Sequence, residues 1–276
     1  MLTNIQNKFK QNILNAIHTD ERIVGCVDYG SASEGRGDEW SDLDFALFIR
    51  DADLLAFEQG WKMWAAQFGP LLLAYVGGVG HPWAVYDTGR LPLRVDFAFH
   101  AESTLRQVLE WPNAPVSAAA MVCLDRTGGK LTALVGQIVG QSLAPIHLAT
   151  TFEQVCGDFW YYLLRTHAKL MREQHWAARH DFNFIIMGNL LALLRIESGA
   201  LQRWRGSSPA VDIEKVISPS RLAQLNQCIP GPEMRDLKPA MFQAASLGCA
   251  VCVEIAQKHG WDWPALLAEK VLGVLE

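Results

Sequence analysis

Apolar side chains recur along the first half of the chain with the spacing of a helix and then of short strands. Ile5, Phe9, Ile13, Leu14 and Ile17 repeat at helical intervals, which predicts a helix over 2–18. Apolar runs separated by Gly and Pro then predict strands. The predicted strands are RIVGCVDYG, SDLDFALFIR, PLLLAYVGG, HPWAVYDTG and LPLRVDFAFH. Further helices are predicted in DADLLAFEQGWKMWAAQF (with Asp51 as its N-cap), in 101–110 and in KLTALVGQIVGQ, and another strand and turn in AAAMVCLDRTGG.

From about residue 150 the apolar pattern is helical throughout. The predicted helices there are 152–174, 177–200, 219–228, 233–259 and 264–275. The fold class that we expect is therefore α+β. An N-terminal domain over 1–146 would contain a mixed sheet with helices, and a C-terminal domain over 147–276 would be an all-α helical bundle, with the boundary near Pro145.

Composition narrows the class of protein. Of the 276 residues, 50% are apolar and 19% are charged, and the formal net charge is −5, as expected of a globular protein. The acidic balance argues against nucleic acid as a partner. The N-terminus has the pattern of neither a signal peptide nor a transit peptide, and we see no apolar run of the roughly 18 residues that span a membrane. We therefore expect a cytoplasmic protein with no membrane partner.

The six cysteines are scattered through apolar segments, which predicts reduced, buried thiols. Cys249 and Cys252 form a CAVC motif that could suggest a zinc or redox site. Because no second cysteine pair accompanies it and the surrounding sequence is that of a buried helix, we interpret the motif as core packing.

Two carboxylates begin the second predicted strand. Asp42 and Asp44 leave the same face of the strand, while Leu43 and Phe45 point to the opposite face and into the core. At about 5 Å and an effective dielectric constant of about 20, two such charges repel by about 3 kcal/mol. A divalent cation reverses the sign of that energy, because Mg²⁺ prefers hard oxygen ligands that it shares with substrate phosphates. Taken alone, the pair could equally be a turn cap and an exposed strand start.

A third carboxylate favours the metal site. Asp96 lies in the middle of an apolar strand, between Val95 and Phe97, where an unpaired charge is rare. Asp87 is the competing candidate, but it precedes Thr88-Gly89, where a turn role is the ordinary one. Three carboxylates around two Mg²⁺ ions form a site for phosphoryl or nucleotidyl transfer.

The Gly30-Ser31 turn, Gly35, the SDLD segment of 41–44 and the later Asp96 together resemble the pattern of the nucleotidyltransferase superfamily. The similarity is greater to the antibiotic nucleotidyltransferases that act on lincosamides and have a helical C-terminal domain, and looser to the streptomycin-type adenylyltransferases. It covers 20–135 and continues weakly to about residue 200. Asp44 and Asp96 stand where the lincosamide enzymes carry Glu, and Glu34 stands where they often carry Lys.

The resemblance implies a polymerase-β-like catalytic domain that moves AMP from ATP, or another nucleoside monophosphate, to a hydroxyl of a small molecule. The acceptor would be an antibiotic such as a lincosamide, and pyrophosphate would be released. Asp42 and Asp44 would bind two Mg²⁺ ions, Asp96 would join them and act as general base, and Gly30, Ser31 and Ser41 would hold the nucleotide phosphates.

The helical half offers cations for the same nucleotide. Arg165, Lys169 and Arg172 share one helix face and could hold the β and γ phosphates, although a solvated basic face is the alternative. Other acceptors stay open: an aminoglycoside, a protein hydroxyl or a tRNA end. A non-catalytic antitoxin or nucleotide-binding module is a further alternative, and a homodimer is compatible with the sequence.

Overall fold

The structure is a computed structural model that describes residues 3–78, 80–89, 91–141, 147–201 and 208–276. The chain divides into two compact units, Met1–Ser142 and Leu143–Glu276. The boundary predicted near Pro145 lies outside the described residues. The assignment of a catalytic domain to 1–146 and a helical domain to 147–276 stays a prediction.

The first unit is built around a six-stranded mixed sheet. Its elements are α1 (Asn4–Thr19), β1 (Ile23–Asp28), β2 (Leu43–Ile49), α2 (Leu54–Ala66), β3 (Leu71–Val76), β4 (Pro82–Tyr86), β5 (Leu93–Ala101), a 3₁₀ helix (Glu102–Glu110), α3 (Ala118–Met121), β6 (Val122–Asp125) and α4 (Lys130–Ile138). The strand order is β3-β4-β5-β2-β1-β6. The β2 and β5 strands pair in parallel, and the other neighbouring strands pair antiparallel.

Both faces of the sheet bury apolar side chains. On β2, Phe45 and Leu47 belong to the core cluster that includes Ile13 of α1, whereas Ala46 and Phe48 belong to a second cluster that includes residues of α4. Side chains alternate between the faces of a strand, so the two clusters lie on opposite faces. On β2, the buried apolar run from Phe45 to Ile49 therefore leaves only the strand start for charged side chains.

A capping box fixes the start of α1 and ties it to the chain before β2. Thr3 and Gln6 exchange side-chain and backbone hydrogen bonds, which satisfy donors at the helix N-terminus. The Gln6 side chain is buried and also donates to the carbonyl of Ser41 at 2.7 Å. The first turn of α1 thus holds the backbone that enters β2.

The second unit is helical, as the sequence indicated. Its elements are α5 (Leu148–Met171), α6 (His175–Asp181), a π-helical turn (Phe182–Ile186), α7 (Met187–Ser198), α8 (Ile213–Val216), α9 (Pro219–Asn226), a 3₁₀ turn (Met234–Asp236), α10 (Leu237–His259) and α11 (Ala265–Leu275). They enclose one core that contains Cys252, whose sulfur lies 3.5 Å from that of Cys156. All six cysteines are free thiols, and the CAVC motif belongs to the α10 core packing.

The α+β fold class is confirmed, with four local corrections. The helix predicted over 101–110 is a 3₁₀ helix, and the one predicted over 177–200 is interrupted by the π-helical turn. Asp51 does not cap α2, because its carboxylate accepts the backbone N–H of Ser103 instead. The expectation that no segment is long and apolar enough to cross a membrane is wrong for Met234–His259 by length and composition. Half of the apolar stretch within this segment is buried inside the protein.

Candidate active site

Three carboxylates meet where the start of β2 lies beside β5. The parallel register places Asp44 opposite Asp96, and the same register continued back places Asp42 opposite Arg94. One carboxylate oxygen from each of Asp42, Asp44 and Asp96 lies within 4.8 Å of the other two. All three side chains are half-buried. The structure therefore brings together the three acidic residues that the sequence singled out.

The cluster lacks enough positive charge to ionise fully at neutral pH. Burial, followed by the charges of Asp42 and Asp96, raises the pKa of Asp44 to about 8. Burial, followed by the charge of Asp42, raises the pKa of Asp96 to about 6. A divalent cation among these three hard oxygen donors would offset the repulsion that contributes to both raised pKa values, so the residues fit the Mg²⁺ that the sequence predicted.

Arg94 is a cation at this cluster that sequence reasoning missed. Its Nη2 lies 3.0 Å from Oδ2 of Asp42, and 63% of its side chain is exposed. The charge of Arg94 opposes the rise in the pKa of both Asp44 and Asp96. The signal was available in the sequence, since Arg94 stands two residues before Asp96 and so shares its face of the strand.

Gly30 is required by the carboxylate beside it. A Cβ atom at this position would lie 2.0 Å from Oδ2 of Asp44, which is shorter than the contacts that real Cβ atoms make. The backbone N–H of Gly30 donates to Oδ1 of Asp28 at 3.0 Å, so this donor is already used within the protein. The close approach to Asp44, and not a phosphate contact of its N–H, is the reason that the structure gives for glycine here.

The segment after Gly30 forms consecutive turns over 31–35. Ser31 donates from its hydroxyl to that of Ser41 at 3.1 Å. The Ser41 hydroxyl in turn donates to the carboxylate of Asp38 at 2.9 Å and accepts the Asp38 backbone N–H. The two serines that were predicted to bind phosphate are thus adjacent, and both border the start of β2.

A buried ion pair between Lys10 and Asp28 stabilises the turn at Gly30. Lys10 of α1 contacts Oδ2 of Asp28 at 2.5 Å, and only 3% of the Asp28 side chain is exposed. Burial alone would lower the pKa of Lys10, but the charge and hydrogen bond of Asp28 raise it overall. Because Asp28 also accepts the Gly30 N–H, this pair fixes the backbone at the cluster.

Asp87 has the turn role that the sequence favoured. Its carboxylate accepts the backbone N–H of Gly89 at 2.7 Å, and it is outside the group formed by the three clustered carboxylates.

Beside the cluster lies a cavity of about 580 Å³, which Ser41 and Arg94 border together with Trp40 and Leu91. Trp40 is 70% exposed there.

The model of the streptomycin adenylyltransferase family matches residues 84–276, which is more than half of the chain. The chain belongs to this family. It is therefore a nucleotidyltransferase enzyme, which excludes the alternative of a non-catalytic antitoxin or nucleotide-binding module. The match includes Asp96, Arg94 and the whole helical unit, while Asp42, Asp44 and the Gly30-Ser31 turn precede it.

Two solved structures are similar to this member of the streptomycin adenylyltransferase family. An aminoglycoside 6-adenyltransferase from Bacillus subtilis is 15% identical with a TM-score of 0.44, over 99% of this chain and 98% of that chain. A nucleotidyltransferase-like protein from Exiguobacterium sibiricum 255-15 is 10% identical with a TM-score of 0.39, over 92% of this chain and 78% of that chain. Comparison with curated proteins gave no match. The superfamily expected from the sequence is confirmed, and lincosamide specificity stays a prediction.

Two of the three basic residues predicted to bind phosphate in the helical half have partners within their own unit. Lys169 pairs with Asp181 at 2.6 Å, and the guanidinium of Arg165 lies 5.3 Å from the centre of the Tyr162 ring. Arg172 follows the last residue of α5 and is exposed. A phosphate-binding role for Lys169 would require it to leave Asp181 or to share its charge. The role of these three residues stays a prediction.

Proposed function

We propose that this enzyme transfers AMP from ATP to a hydroxyl group of a small-molecule antibiotic and releases pyrophosphate. The observation that carries the proposal is the group of three carboxylates within 4.8 Å, in a chain that belongs to an adenylyltransferase family. Asp42, Asp44 and Asp96 would hold two Mg²⁺ ions. Bound there, the ions would neutralise the triphosphate and make its α-phosphorus easier to attack.

Asp96 is the residue that we assign as general base. In the metal-free protein, burial and the charge of Asp42 raise the pKa of Asp96 to about 6. A divalent cation at the cluster would lower that pKa and leave Asp96 ionised, as a proton acceptor must be. Asp42 and Asp44 orient the reacting phosphate through the ligands that they supply. Gly30 keeps the turn close to Asp44, and Ser31 and Ser41 offer hydroxyl groups to the phosphates at the same edge of the sheet.

We infer an aminoglycoside-type acceptor for two reasons. The family takes its description from streptomycin, and an aminoglycoside is cationic. The net charge of −5 falls entirely within residues 1–142, since residues 143–276 carry equal numbers of acidic and basic side chains. An acidic catalytic unit attracts a cationic acceptor and raises its local concentration. A lincosamide is the second candidate, supported by the resemblance over 20–135.

The remaining assignments concern the helical unit and the setting of the enzyme. Arg165, Lys169 and Arg172 would contact the terminal phosphates of ATP if their helix face turns to the nucleotide. We place the enzyme in the cytoplasm, where ATP is abundant, and a homodimer remains compatible with the sequence.

The test is acceptor-dependent release of pyrophosphate. The purified protein is incubated with Mg²⁺ and each of the four nucleoside triphosphates in turn. Each mixture contains one acceptor: streptomycin, another aminoglycoside or a lincosamide. The mass of each acceptor is then measured by mass spectrometry. We expect streptomycin or a related aminoglycoside to gain the mass of one AMP group. The Asp44→Asn variant is the control and should be inactive. Transfer to the lincosamide alone would reassign the acceptor, and no transfer to any antibiotic would refute the function.

A further inference from the structure

Arg94 pairs with a carboxylate of the cluster, and a metal ion bound to the same carboxylate would compete with that pair. In the structure its guanidinium contacts Oδ2 of Asp42 at 3.0 Å. The same carboxylate is one of the three whose oxygens converge into a metal-binding group. A divalent cation on the Asp42 carboxylate would share its negative charge and weaken its attraction for the guanidinium. Arg94 would then be available to pair with another anion.

The ion pair between Arg94 and Asp42 is weak enough to separate readily. The Arg94 side chain is 63% exposed and that of Asp42 is 28% exposed, and ion pairs in such positions are weak. Arg94 also borders the cavity of about 580 Å³ beside the cluster, so its side chain has space into which it can turn. The backbone of Arg94 is held by its pairing with Val85 of β4, so only the side chain needs to move.

Guanidinium chemistry suits the new partner. The planar fork of Arg presents two parallel N–H donors that match two phosphate oxygens. A nucleotide whose phosphates reach the carboxylates through metal ions brings several phosphate oxygens to the same edge of the sheet. Arg94 would there offset the negative charge that grows on the departing pyrophosphate.

We propose that Arg94 exchanges partners: it holds Asp42 in the free enzyme and a phosphate of the nucleotide once Asp42 is bound to a divalent cation. The inference rests on the proposed function, because it requires a nucleoside triphosphate at this cluster. It assigns Arg94 two opposite effects. Before the nucleotide arrives it competes with the metal for Asp42, and afterwards it strengthens nucleotide binding.

The test compares Arg94→Met, Arg94→Lys and a matched control, Arg50→Met. Arg50 forms a comparably exposed pair with Asp53 at 2.8 Å, just beyond the opposite end of β2. The affinity of the nucleotide-free protein for Mn²⁺ is measured by calorimetry or electron paramagnetic resonance. The affinity for a non-hydrolysable ATP analogue with Mg²⁺ is measured separately, and so are kcat and KM with the acceptor found above.

We expect Arg94→Met to bind Mn²⁺ about threefold more tightly, because a weak competing pair is gone. The same variant should bind the ATP analogue about tenfold or more weakly, as expected for the loss of a charged hydrogen bond, with a fall in kcat/KM. Arg94→Lys should keep the competition for Asp42 but should not restore kcat/KM, because an ammonium group lacks the fork. Arg50→Met should change none of these values.

Weaker Mn²⁺ binding in Arg94→Met would overturn the proposal, since the pair would then position a metal ligand instead of competing for it. Unchanged affinity for the ATP analogue would overturn it as well. If the wild-type protein modifies no antibiotic but the two affinities still move in opposite directions, the acceptor assignment fails and the partner exchange stands.

Discussion

Replacing Asp44 with asparagine should remove a pH dependence of stability that the metal-free enzyme owes to its carboxylate cluster. Burial and two neighbouring carboxylates raise the pKa of Asp44 from its ordinary value of 3.8 to about 8. Between those pH values the folded protein keeps a proton that the unfolded chain releases. The stabilisation is therefore complete below 3.8 and is lost as the pH rises through about 8. Asparagine stays neutral at every pH and shows no such loss.

The size of the effect follows from the same pKa. At about 1.4 kcal/mol per pKa unit, the whole change is on the order of 5 kcal/mol. Of this, roughly 3 to 4 kcal/mol would be lost between about pH 5 and about pH 8. In a unit of this size, a free energy of that order lowers the melting temperature by roughly 10 °C.

The assay is thermal and urea unfolding of the wild-type protein and of Asp44→Asn, followed by circular dichroism over that pH range with a chelator present. The difference between the two curves reports the titration of Asp44 together with its coupling to the neighbouring carboxylates, because more distant titratable groups are common to both proteins. A second series with Mg²⁺ should stabilise the wild-type protein most at the alkaline end and Asp44→Asn far less. Parallel stability curves for the two proteins without metal would refute the reasoning.

Four further substitutions test the cluster and its surroundings. Gly30→Ala should weaken Mn²⁺ binding at least tenfold, because its Cβ would displace the Asp44 carboxylate, and unchanged calorimetric affinity would contradict this. Asp96→Asn should lower kcat by about a hundredfold or more, which is the loss expected when a general base is removed. Asp87→Asn should leave kcat near the wild-type value, because Asp87 contributes only a hydrogen bond within a turn. Lys10→Met leaves its buried carboxylate partner unpaired, so urea unfolding should show a loss of about 3 kcal/mol, and a loss below about 1 kcal/mol would show that water screens the pair.

Much of the fold and part of the site follow from local sequence patterns. Helical spacing predicts α1, and apolar runs between Gly and Pro residues predict all five strands from β1 to β5 within a few residues. Alternation alone places Asp42 and Asp44 on one face of β2, with Phe45 on the other. The turn role of Asp87 is equally local, because it depends on the two residues that follow it.

What the sequence determined by itself is therefore the set of elements and the side of each strand on which its acidic residues lie. Only the tertiary structure decided which strands are neighbours. The parallel register of β2 and β5 joins residues about fifty positions apart, and it alone brings Asp96 to Asp44 and Arg94 to Asp42. The need for glycine at position 30 likewise arises from a carboxylate on another strand. Periodicity reports the orientation of a side chain along its own strand, whereas the distance between strands is set by the packing of the whole sheet.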